Sequence, residues 1–177
     1  MTTQETFRRY VESNKGCAVI LAGSGSDKPH IEEIVASLTD YQIPHQVRIV
    51  SAHKQPEELM EIVREYDSWQ GPLAYIAVAG GTDALSGMVS YHSSRPTISC
   101  PPDHPNMSCL TNPPGSSNMY IGNPANVGKA VAQLFAHLNP EYRLVLEKKR
   151  VGKIAKLQME DLEHSQKSLE WLAAPVS

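Results

Sequence analysis

Short unbroken apolar runs alternate along this chain with segments whose apolar residues recur every three to four positions. Cys17 to Ala22 is the first run, and it ends in the turn-rich Gly23-Ser24-Gly25-Ser26-Asp27, which predicts a strand buried on both faces. Ile31, Ile34, Val35 and Leu38 follow at the spacing of one helical face. A second strand is expected from Gln46 to Val50. Pro56 then suits the first position of a helix, where its missing N–H would have had no partner, and Leu59, Ile62, Val63 and Tyr66 repeat the helical stripe. Leu73 to Ala79 predicts a third buried strand, with Thr82 or Asp83 as cap of the helix after it. Thr97 to Cys100 predicts a fourth, stopped by Pro101-Pro102.

From Pro101 to Ser117 the sequence holds five prolines and little periodicity, so an ordered loop is expected, with one helical turn near Met107 to Leu110. Met119 to Ile121 predicts a short fifth strand. Asn123 caps and Pro124 opens the next helix, whose stripe is Val127, Ala130, Val131, Leu134, Phe135 and Leu138. Glu141 to about Leu172 is charged and helix-favouring; its apolar residues Leu144, Val151, Ile154, Leu157, Leu162, Leu169 and Leu172 are too sparse for a core helix and too regular for a disordered tail.

Five alternations of strand and helix with short connections imply a three-layer α/β/α domain. Its parallel sheet is flavodoxin-like or Rossmann-like, with about five strands and a long C-terminal helix added. The expected organisation is an N-terminal arm over 1–15, an α/β domain over 16–139 and a helical extension over 140–177. In such sheets ligands bind beyond the carboxyl ends of the strands, where three polar, glycine-rich loops fall here.

Composition narrows the partners. The chain has 177 residues, 41% hydrophobic and 20% charged, which fits one compact domain. A net charge of -3 supplies no basic field for nucleic acid. No apolar run approaches bilayer length and the N-terminus lacks the apolar centre of a secretory signal, so no membrane and a cytoplasmic setting are expected. Cys17, Cys100 and Cys109 are too widely spaced for a metal or redox motif and read as buried free thiols. The histidines besides His53, namely His30, His45, His92, His104, His137 and His164, show no metal-ligand spacing, so no metal is expected.

Each strand-end loop carries candidate chemistry beside a structural alternative. Gly23 to Asp27 offers backbone N–H groups, the hydroxyls of Ser24 and Ser26 and a helix N-terminus, which favour a phosphate; Asp27 then faces ribose hydroxyls, since two anions repel. The alternative is a helix cap at Ser26 or Asp27. Neither a dinucleotide nor an ATP fingerprint is present. The second loop sets His53 beside Lys54: histidine suits proton transfer near neutral pH, and lysine supplies a fixed charge for phosphate or carboxylate. An exposed loop histidine and a solvated lysine are the alternative. The third loop, Ala79 to Met88, allows close approach of backbone to a ligand, or is a tight strand-to-helix turn.

Taken in order, Gly23-Ser24-Gly25-Ser26-Asp27, Ser51-Ala52-His53-Lys54, Ala79-Gly80-Gly81 through Gly87, and Ile98-Ser99-Cys100-Pro101-Pro102 resemble the aminoimidazole ribonucleotide carboxylase family, also called the PurE family. The likeness spans about residues 16–138. The family holds two activities on one fold: class I members are mutases that move a carboxylate from the exocyclic nitrogen to carbon 4, and class II members use carbon dioxide directly. Class I typically reads Ser-Ala-His-Arg-Thr-Pro and class II Ser-Ala-His-Lys, so Ser51-Ala52-His53-Lys54 is similar to class II. Gly80-Gly81-Thr82-Asp83 departs from the class II pattern Gly-Arg-Ser-Asn, removing a cation and adding an anion.

The resemblance implies 5-aminoimidazole ribonucleotide and carbon dioxide as substrates in de novo purine synthesis, no cofactor, and a homo-oligomer, octameric in the family. It further implies that Ser24, Ser26, Ser51 and Lys54 contact phosphate or nearby charge, that Asp27 contacts ribose and that His53 carries the proton. The same resemblance implies that Gly80, Gly81 and Thr82 present backbone donors to the forming carboxylate. Alternatives of other kinds are the class I mutase, a paralogue acting on another five-membered heterocycle, and a non-catalytic nucleotide- or flavin-binding module. Against the module stand the His53-Lys54 pair and the lack of an aromatic residue in the strand-end loops to sandwich a flavin.

Overall fold

A computed structural model describes the backbone of residues 2–103 and 105–173, with side chains as far as residue 167. His104 and the side chains of Leu169 and Leu172 therefore lie outside the described residues. Five strands, β1 Cys17–Ala22, β2 His45–Ile49, β3 Leu73–Val78, β4 Thr97–Ser99 and β5 Met119–Tyr120, form one sheet in the order β2-β1-β3-β4-β5. Every pairing is parallel. Within one or two residues these are the strands that the apolar runs predict.

The unbroken runs make sense because each face of the sheet has its own core. Ala18, Ile20, Ala22, Ala74, Ile76, Val78 and Ile98 point to one face, covered by helices α2 Lys28–Asp40 and α5 Val127–Phe135 and by Tyr142. Cys17, Val19, Leu21, Leu73, Tyr75 and Ala77 point to the other, under α3 Pro56–Asp67 and α4 Leu85–His92. Alternate residues of β1 and β3 thus need to be apolar on both sides. β2, at the sheet edge, keeps none of its residues buried.

The hydrophobic pattern predicts no element before residue 16, yet a helix, α1, runs Thr3–Glu12. Thr2 and Glu5 close a capping box at its start, each side chain accepting from the other's backbone N–H. Phe7 and Val11 enter the second core, where Phe7 meets Tyr66 and Trp69 edge-on at ring separations of 6.3 and 6.1 Å.

The last helix, α6, spans Pro140–Ala173. Its first two turns are anchored: the Tyr142 hydroxyl donates to the Gly16 carbonyl at 2.6 Å, and Val145 and Leu146 pack on the first core. From Val151 to Lys167 every residue is exposed, including Val151, Ile154, Leu157 and Leu162. Among the described residues no helix is long and apolar enough to cross a membrane.

The three cysteines are buried and unpaired. Burial pushes the Cys17 and Cys100 thiols up to about 12, so both stay protonated and inert at neutral pH.

Candidate active site

The strand order reverses direction between β1 and β3, and at such a switch point the loops on either side splay apart to leave a crevice. Here the crevice has a volume of about 260 Å3 and is lined by Gly23, Ser24 and Asp27 after β1, by Ser51, Ala52 and His53 after β2, and by Ala79, Gly80, Thr82, Ala84 and Leu85 after β3. Three loops far apart in sequence meet because their strands are adjacent and parallel, so all three leave the sheet at the same edge.

In the first loop Ser24 is extended and caps the 3-10 turn Gly25–Asp27, its hydroxyl accepting from the Ser26 N–H at 3.1 Å. The two serine hydroxyls lie 2.7 Å apart. Asp27 stands at the start of α2 with no side-chain cap bond, which leaves its carboxylate to the crevice. Asp27 thus holds the N-cap position of α2, one of the two places the sequence offers, but the capping hydrogen bond is made one turn earlier by Ser24. Ser26 is not among the lining residues; its hydroxyl sits beside that of Ser24 and donates to the Asp27 carboxylate at 3.4 Å.

In the second loop the Lys54 N–H donates to the Ser51 hydroxyl oxygen at 3.3 Å, so that hydroxyl keeps its own proton for another acceptor. Ala52 is buried and anchors the turn, while His53 is exposed and lines the crevice. Its ring makes no hydrogen bond among the described residues, so both nitrogens are open to a ligand. Lys54 faces a separate shallow hollow shared with Gln55, Pro56, Glu57, Glu58 and Glu61. The two neighbours in sequence thus turn apart.

The third loop is a four-residue turn, Gly80 to Asp83, before α4. Gly81 adopts φ +64°, which only a residue without Cβ takes cheaply. Its N–H donates to the Asp103 carboxylate at 2.9 Å and is committed there. The N–H groups of Gly80 and Thr82 make no hydrogen bond among the described residues, and both residues line the crevice. Asp83 is buried and accepts from the Ser86 N–H at 3.0 Å, a cap set two residues before the helix begins. Its second carboxylate oxygen is buried with no partner among the described residues. The anion added by the sequence at this position therefore serves the helix and is absent from the crevice lining.

Sequence reasoning overlooks Asp103, Asn106 and Ser108, which reach the third loop from the proline-rich segment. Nothing in their spacing marks them. The helical turn expected in that segment is present at Ser108–Leu110. Among the described residues no group of three or more His, Cys, Asp or Glu side chains is placed to hold a metal.

A parallel three-layer α/β domain with a polar crevice at its switch point belongs to the doubly wound α/β class, in which ligand crevices lie beyond the carboxyl ends of the strands. Within that class, the AIR carboxylase family model matches residues 17–156. The chain belongs to the AIR carboxylase family. It is 37% identical over 125 residues to a phosphoribosylaminoimidazole carboxylase of Archaeoglobus fulgidus, covering 67% of this chain and 68% of that protein. It is 35% identical over 129 residues to one of Treponema denticola, covering 70% and 81%. The crystal structure of Treponema denticola PurE superposes with a TM-score of 0.78 at 31% identity, over 83% of this chain and 97% of the other.

Proposed function

We propose that this protein joins carbon dioxide to carbon 4 of 5-aminoimidazole ribonucleotide, forming the 4-carboxylated nucleotide of purine synthesis. The observation that carries this reading is the meeting of the loops after β1, β2 and β3 in one crevice, within a chain matched by the AIR carboxylase family from 17 to 156. The aminoimidazole is enamine-like, so its carbon 4 attacks carbon dioxide without biotin or ATP. The enzyme has to hold the two reactants together and take away the carbon 4 proton.

His53 is the group suited to that proton, being the histidine among the crevice-lining residues. Ser24 and Ser51 offer hydroxyls to the phosphate from the lining, with the Ser26 hydroxyl beside Ser24 in support, and Asp27 offers its carboxylate to the ribose. The N–H groups of Gly80 and Thr82 meet the new carboxylate, while Gly81 shapes the turn. Mixing the protein with aminoimidazole ribonucleotide and bicarbonate, and following ultraviolet absorbance for the 4-carboxylated product, tests the reading; no product at high enzyme concentration rejects it.

Lys54 faces the neighbouring hollow and acts on the phosphate through longer-range charge. A point charge near phosphate stabilises ground and transition states alike, so Lys54→Ala is expected to raise KM roughly 3- to 10-fold with kcat within about 2-fold. A fall in kcat as large as the rise in KM contradicts that role. The class I mutase is the second reading, favoured by Gly81 where class II places an arginine.

The protein acts as a homo-oligomer, octameric as in the family, in the cytoplasm. The exposed α6 residues Val151, Ile154 and Leu162 favour this reading, because closed symmetry would cover an apolar stripe that one domain leaves in water. Light scattering that finds a monomer at micromolar concentration rejects the assembly, and cell fractionation tests the location.

A further inference from the structure

The turn from Gly80 to Asp83 lies between β3 and α4, and no backbone hydrogen bond closes it from within. Its shape is imposed from outside by one short segment. The Asp103 carboxylate accepts from the Gly81 N–H at 2.9 Å. The Gly81 carbonyl accepts from the Asn106 side-chain amide and from the Ser108 hydroxyl, each at 3.1 Å. The Ser108 oxygen also accepts from the Asp83 N–H at 2.8 Å.

These three side chains brace one another as well. Asn106 donates its second amide proton to Asp103 at 2.9 Å and accepts from the Ser108 N–H at 3.1 Å. The Ser108 hydroxyl has one proton, which it shares between the Gly81 carbonyl and the Asn106 oxygen 2.7 Å away. Asn106 is only 3% exposed, so its bonds are shielded from competing water. Both polar groups of Gly81 are thereby spent on the clasp, while the flanking Gly80 and Thr82 line the crevice with N–H groups that make no hydrogen bond among the described residues.

We propose that Asp103, Asn106 and Ser108 are positioning residues for carboxylation: they hold Gly81 in its left-handed conformation and so aim the Gly80 and Thr82 N–H groups at the forming carboxylate. The inference rests on the carboxylase reading. Donors of this kind act only when held at the place where charge develops, so loosening the turn lowers transition-state stabilisation more than nucleotide binding, which the serine loops carry.

Ser108→Ala tests this, because Ser108 is half-buried and its loss leaves the cores untouched. The expected result is a fall in kcat of roughly 10-fold or more with KM for aminoimidazole ribonucleotide within about 2-fold, and faster amide exchange at Gly81. Ser108→Thr, which keeps the hydroxyl, should restore most of kcat. A Ser108→Ala enzyme with wild-type kcat overturns the inference, as does a loss that Thr fails to rescue or one that appears equally in KM. An inactive wild-type enzyme in the same assay overturns the carboxylase reading instead, so the two failures are told apart.

Discussion

Replacing His53 with asparagine is expected to lower kcat by roughly 10²-fold or more, the usual scale for loss of a general acid or base, while leaving the fold and most nucleotide affinity intact. After carbon 4 has attacked carbon dioxide, that carbon still carries its proton, and the imidazole ring recovers aromaticity only when the proton leaves. His53 lines the crevice, sits beyond the carboxyl end of β2 and has no competing hydrogen bond among the described residues. Asparagine keeps a planar polar group of similar reach but cannot exchange a proton near neutral pH. Because His53 is exposed, the substitution opens no cavity, and circular dichroism and thermal melting should be unchanged. Steady-state kinetics and calorimetric binding of the nucleotide separate the two quantities. A His53→Asn enzyme with turnover within about threefold of wild type would remove His53 from the chemistry.

Gly128→Ala is expected to destabilise the protein by roughly 3 kcal/mol, the upper part of the range for overpacking a core. α2 and α5 cross here with no room for a side chain: a Cβ at position 128 would lie 2.1 Å from the Ser37 carbonyl oxygen and 2.8 Å from its hydroxyl. The Ser37 hydroxyl is held in place, donating to the Ala125 carbonyl at 2.8 Å while accepting from the Gly128 N–H at 2.9 Å. An added methyl group meets backbone and must push the helices apart, loosening Ile34 and Leu38 against Val127 and Val131 in the first core. For a chain of this size the melting temperature should fall by roughly 6 to 12 °C. Gly152→Ala is the control, since that glycine lies in the exposed part of α6 with open space around it. Alanine there should be neutral or slightly stabilising through the chain entropy of helix formation. Equal melting temperatures for the two variants would mean that the α2–α5 contact is looser than the structure shows.

The sheet was legible because burial on both faces leaves a continuous apolar run, and the helices on it were legible because burial on one face leaves a period. α1 was missed for want of length: ten residues hold only Phe7 and Val11 as buried anchors. The pattern Thr2-x-x-Glu5 is the signal that marks its start. The site loops were legible as polar breaks after apolar runs, but the direction of each side chain was not. His53 and Lys54 are adjacent in sequence and turn to different hollows. Asp83 reads in sequence both as a helix cap and as an anion added at the site, and it folds as the cap, since in a glycine-rich turn the same carboxylate can serve either purpose. Asp103, Asn106 and Ser108 left no trace, since their bonds to the third loop join residues more than twenty positions apart and follow no period.

The central claim, direct carboxylation at carbon 4, is tested most directly by following the labelled carbon. Unlabelled aminoimidazole ribonucleotide is mixed with enzyme and 13C-bicarbonate in equilibrium with carbon dioxide, without ATP, and the product is read by carbon NMR. A 13C carboxylate bonded to carbon 4, formed at a rate proportional to enzyme, is the expected result. Label that stays in the bicarbonate pool, with turnover only when the N-carboxylated nucleotide is supplied, would contradict the account and assign the chain to the mutase.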